Sequence, residues 1–238
     1  MHCQVAVQIR VVTQFIFVAD KKREEVEWSG LSTDFLKRLE KAGYPPSSVD
    51  YVVCTHMHSD HVGWNTSFVD RRWVPTFSNA RYLFVRQEFD SRLQNSAAQN
   101  DDVFADSVQP VYDAGLVDFV PPDHVVVPGV RLEPTPGHTP GHVSVVIEQG
   151  GHKAVITGDM LHSPIQLAKP RINPKFESDP TLSTKTRLAA FERWADGGAT
   201  LMIGTHFSYP TAGLIKSVGP ETYTLVTSVT PEIVGGAA

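Results

Sequence analysis

Four short apolar runs in this chain each lead into histidine or aspartate, and this recurrence restricts the fold more than any single segment does. "VDYVVCT" runs into His56-Met57-His58-Ser59-Asp60-His61, "RLEPTPG" into His138, "AVITG" into Asp159 and "LMIGT" into His206. Short runs rich in Val, Ile and Leu and bounded by turn residues read as buried strands. Sheet proteins commonly gather their sites at one set of strand ends, because the strands are rigid and the loops are free to vary.

The remaining elements agree with a sheet scaffold. "ARYLFV" reads as a strand, "HVVVPGVRLEP" as a strand interrupted at Pro128-Gly129, and "VSVVIEQGGHKAVITGD" as two strands joined by a tight turn at Gly150-Gly151. "STDFLKRLEKAG" reads as a helix capped by Ser32, Thr33 or Asp34, with Phe35, Leu36 and Leu39 on its apolar face and Gly43 just past its end. A second helix is expected over "DPTLSTKTRLAAFERWADGG", with Asp179 as N-cap, Pro180 at the first helical position, Leu188, Phe191 and Ala195 on one face, and Gly197 as its stop. Strands in runs with helices between them favour an α+β fold of sheet layers covered by helices. No repeat, low-complexity block or linker interrupts the chain, so residues 1–238 are expected to form one domain.

Charge and cysteine usage narrow the partners. Lys and Arg number 21 against 26 Asp and Glu, a net charge of -5, and no basic stripe follows any expected helix, which argues against nucleic acid. "VAVQIRVVTQFIFVA" near the N-terminus is broken by Gln8, Arg10 and Gln14 and reads as a strand rather than a leader or a membrane span. Cys3 and Cys54 are too few for a disulfide framework, and Cys54 is expected to be a buried free thiol. A reducing, cytoplasmic setting suits such a chain.

Imidazole and carboxylate are ligands that borderline divalent ions such as zinc prefer. In an extended segment His56 and His58 project to the same side and can chelate one ion, while a turn around Ser59 aims Asp60 and His61 elsewhere. The donors exceed what one zinc needs and divide naturally between two metals. No Gly-x-Ser-x-Gly nucleophile motif is present, and no serine mechanism is required.

The order His-x-His-x-Asp-His, then single His, Asp and His, resembles the metallo-β-lactamase-fold hydrolases. That resemblance implies an αββα sandwich, with His56, His58 and His138 on one metal, Asp60, His61 and His206 on the other, and Asp159 bridging. Two divalent ions per chain are implied, zinc first, with manganese, cobalt or iron as substitutes. It also implies a metal-activated hydroxide as nucleophile, with Asp60 both ligating metal and holding or shuttling a proton. "PTPGHTPGHVSVV", "GDMLHSPIQ" and "THFSYPTAG" are similar to the branch containing methyl parathion hydrolase and related lactonases. A small neutral ester-like substrate follows, lactone before organophosphate or aryl ester. Thioester or β-lactam hydrolysis is the runner-up, and a non-catalytic metal-binding paralogue the reading from another class. Trp64, His162, Phe207 and Tyr209 are candidate substrate contacts, and His142 is read as a supporting residue. Similarity begins near Asp20, so residues 1–19 stand as an atypical start to an incomplete first sheet. That segment is expected to supply a strand there, with a homodimer covering what it leaves open.

Overall fold

The computed structural model describes residues 33–99, 102–196 and 200–227. The strand and the atypical start expected in residues 1–19, and the helix stop at Gly197, lie outside the described residues. The chain divides into two compact units, Met1–Val120 and Pro121–Ala238.

In the first unit, helix α1 spans Phe35–Lys41. Phe35, Leu36 and Leu39 pack on the core, and Gly43 follows the helix with φ +86°, in the left-handed region that favours glycine. Asp34 occupies the N-cap without capping through its side chain, which instead meets Lys37 Nζ at 3.3 Å. Strand β1 is Tyr51–Val53, shorter than expected because the chain leaves the sheet before Cys54. Helical turn α2 covers Ser59–Val62, strands β2 and β3 are Thr66–Val69 and Arg72–Pro75, and β4 is Arg81–Val85. Helices α3, Arg86–Gln99, and α4, Gln109–Asp113, precede β5, Val117–Val120. Strand β4 lies between β1 and β5 and is parallel to both. Both β1 and β4 therefore deliver the chain to the same sheet end, β1 into the histidine motif and β4 into α3. Buried Phe77, Tyr82, Phe84 and Met57 centre the core, each contributing about 1.5–3 kcal/mol by leaving water. Cys54 is a buried free thiol, pushed up to about 12 by burial and donating to Asn65 Oδ1.

The second unit holds a seven-stranded sheet. Its strands are β6 (Val125–Val127), β7 (Val130–Pro134), β8 (Val143–Gln149), β9 (His152–Ile156), β10 (Thr200–Ile203), β11 (Ala212–Gly219) and β12 (Thr222–Val226). Strands β6 to β9 are successive antiparallel neighbours, whereas β9 and β10 are parallel. Pro128-Gly129 forms the turn of a hairpin, and Gly150 and Gly151 both take positive φ in the turn between β8 and β9. Joining parallel strands requires a crossover. It contains helices α5, Ile165–Ala168, and α6, Pro180–Asp196. Asp179 Oδ1 caps α6 by accepting from Leu182 N at 2.9 Å. The helix buries Ala190, Phe191 and Trp194 in a core with Val146, Val155, Met202 and Ile215.

This topology positions three ligand-type residues. Strands β7 and β9 are each antiparallel to β8, and β10 is parallel to β9, so β7, β9 and β10 run the same way. The residues that follow them, His138, Asp159 and His206, consequently emerge at one sheet end.

Candidate metal centre

In the first unit the chain leaves β1 and presents four ligand-type side chains within the segment His56 to His61. The His56 and His58 ring centroids are 4.7 Å apart, as expected for residues projecting to one side of an extended segment. The turn at Ser59 is present as α2, with the His61 ring centroid 4.1 Å from that of His56. Asp60 Oδ2 lies 3.3 Å from His61 Nε2. Thr55 Oγ1 contacts His56 Nδ1 at 3.2 Å. Beneath the motif the buried Glu88 carboxylate accepts from Met57 N at 2.9 Å, bracing the peptide between the two leading histidines. Trp64 is buried and packs against Phe35, with ring centroids 5.6 Å apart.

In the second unit, imidazoles converge on one carboxylate. His206 Nε2 lies 3.1 Å from each oxygen of Asp159, His162 Nε2 lies 3.1 Å from Oδ2, and His138 Nε2 lies 3.4 Å from Oδ2. Imidazole and carboxylate donors such as those of His138, His206 and Asp159 are of the kind that suits a divalent cation. His142 belongs to the support. Its Nε2 accepts from Asp159 N at 2.9 Å, so Nδ1 carries the proton and donates to Thr135 O at 3.0 Å. Both ring nitrogens are thereby committed, and His142 fixes the backbone of Asp159 instead of ligating.

The candidate substrate contacts are placed differently from one another. His162 lies on the Asp159 carboxylate and stacks on His206, with centroids 5.1 Å apart. Phe207 is buried in the core, where its ring would overlap any Cβ added at Gly204, and Tyr209 is 95% exposed.

The profile of the metallo-beta-lactamase superfamily matches residues 24–206. The chain belongs to that superfamily. An N-acyl homoserine lactonase from Bacillus sp is 32% identical over 110 residues, covering 46% of this chain and 37% of that protein. The chain thus spans less than half the length of this curated relative. Among solved structures, the dizinc quorum-quenching lactonase AidC superposes with a TM-score of 0.73 at 21% identity, over 92% of this chain and 75% of that one. An N-acyl homoserine lactone hydrolase with N-hexanoyl-L-homoserine at its catalytic metal centre superposes with a TM-score of 0.54 at 25% identity, over 68% of this chain and 59% of that one. The fold is the mixed α and β fold of the superfamily.

Four residues escaped the sequence reading. Glu88 braces the first cluster. Glu177 and Arg187 form a buried pair beside His138, with Glu177 Oε1 3.4 Å from Arg187 Nη2. Phe176, 60% exposed, stands edge-on to His138 and His162 at centroid distances of 5.8 and 5.1 Å. An isolated acid or aromatic in "NPKFESDP" carries no periodic or motif signal that would single it out.

Proposed function

We propose that the chain is a dinuclear metal-dependent hydrolase of small ester-like substrates, with lactones first and organophosphates or aryl esters next. The observation that carries this reading is the ligand complement. All seven residues that the superfamily pattern calls for are present, and each unit keeps its own share as a tight cluster of imidazole and carboxylate. His56, His58 and His138 would hold one ion, Asp60, His61 and His206 the other, and Asp159 both. Zinc is the first choice for such donors, with manganese, cobalt or iron as substitutes. When bound, the ions supply Lewis acidity and a water whose pKa falls to about 7.

The chain's own residues account for the rest. His142 and Glu88 hold the ligand loops still, which keeps the donors preorganised. Asp60, beside His61, holds the proton that must move between the attacking water and the leaving oxygen. Phe176 offers an exposed apolar surface next to two imidazoles, suited to the hydrocarbon part of an acylated lactone. The lactone preference is further supported by the Bacillus relative.

The test is a panel of N-acyl homoserine lactones, aryl esters, phosphotriesters and acyl thioesters. Lactone turnover by the parent chain, reduced by about 100-fold or more in His56→Ala and Asp60→Asn, is the expected result. Unchanged turnover in both variants would rule the two-metal mechanism out. Metal binding with no turnover of any substrate would favour a non-catalytic metal-binding protein.

A further inference from the structure

We infer that Glu177 is a positioning residue for His138, orienting the imidazole so that Nε2 faces the Asp159 carboxylate; this rests on the reading of His138 as a metal ligand. His138 Nδ1 lies 3.5 Å from Glu177 Oε2, and both side chains are fully buried. On the opposite side of the ring, Nε2 is 3.4 Å from Asp159 Oδ2. A carboxylate behind an imidazole keeps the proton on Nδ1, leaves the Nε2 lone pair for the metal and raises its basicity.

The placement of Glu177 is itself built in. The backbone carbonyls of Gly137 and His138 accept from Asp179 N at 2.9 Å and Ser178 N at 3.1 Å, so the two segments lie side by side. Thr186 Oγ1 adds a bond to Pro136 O at 2.7 Å. Gly137, at φ +135°, passes so close to α6 that a Cβ would come within 2.3 Å of Ser183 Cα. No other residue allows this approach. Arg187 then fixes the acid's other oxygen from the helix, with Nη2 3.4 Å from Glu177 Oε1 and 3.1 Å from Ser183 Oγ. The same guanidinium donates to Met160 O at 2.8 Å, Pro170 O at 2.6 Å and Asn173 Oδ1 at 3.1 Å. One buried cation therefore ties together the peptide that follows Asp159, the loop leading to Glu177 and helix α6.

The experiment measures zinc affinity of the full chain by chelator competition, beside thermal unfolding of the metal-free chain. Glu177→Gln keeps the shape and removes the charge. It is expected to weaken binding of one of the two zinc ions by roughly 10- to 100-fold, with Glu177→Asp recovering part of the loss. A merely structural role would lower the metal-free unfolding temperature and leave the zinc affinity of the folded fraction unchanged, and that result overturns the inference. If Glu177→Gln does not fold, Glu177→Asp decides it: a weakened zinc affinity of its folded fraction supports the inference, and an affinity equal to the parent's overturns it. Zinc affinity separates this inference from the proposed function. A parent that binds zinc and turns over no substrate of the panel defeats the function alone, whereas turnover with Glu177→Gln binding zinc like the parent defeats the positioning role alone.

Discussion

The two units build their ligand clusters in opposite ways. The first draws His56, His58, Asp60 and His61 from one contiguous segment that runs into the helical turn α2, with a bond from Met57 N to Glu88 bracing it. The second draws His138, Asp159 and His206 from the ends of three strands running the same way, and it surrounds them with a buried polar frame centred on Arg187. A contiguous motif needs little beyond local geometry to bring its donors together. A dispersed one needs long-range topology and a scaffold that fixes each arriving loop.

The contrast makes graded predictions. The largest concerns Arg187, whose replacement by Met leaves Glu177 as an uncompensated buried charge and strips several carbonyls of their donor. A loss of about 3–5 kcal/mol in urea unfolding is expected. Burial depresses the pKa of Arg187, but its facing carboxylate and three carbonyls keep it charged. A smaller loss, about 1–3 kcal/mol, is expected for Glu88→Gln, which weakens the charge-assisted bond to Met57 N. Equal losses for the two variants would erase the distinction between a locally set cluster and a frame-dependent one.

The smallest effect is a pH dependence in the second unit. Burial alone would raise the pKa of Glu133, but the Arg193 guanidinium at 2.7 Å, helped by Arg131, holds it below the usual carboxylate value. A depressed folded pKa gives stability that is present above the unfolded value, about 4.3, and is lost as pH falls through the folded value. The stability gap between the parent and Glu133→Gln should therefore be constant near neutrality and close below about pH 4, as read from urea midpoints across that range. A gap that widens in acid would contradict the assignment.

How much could be read in advance follows the same division. The long helix with its Asp179 cap and the Gly150-Gly151 turn carry strong local signals and stand where expected. The hairpin of β2 and β3 was missed because its turn places Asp70 and Arg71, rather than glycine or asparagine, at positive φ. The five-residue π-helical stretch Phe104–Val108 has no sequence signature at all. Glu88, Glu177 and Arg187 were illegible for a different reason. Charged residues are ordinarily solvated, and only the assembled cores reveal that these three are buried with partners. The donors are written in the sequence, whereas the groups that aim them depend on three-dimensional packing.

The most direct test of the central claim is the metal content of the purified chain after zinc loading and removal of excess ion. About two equivalents per chain are expected if the clusters divide the ligands as proposed, falling below one in Asp159→Ala, which removes the carboxylate shared by both ions. A zinc-free parent chain, or an Asp159→Ala variant that keeps the parent's full complement, would contradict the account.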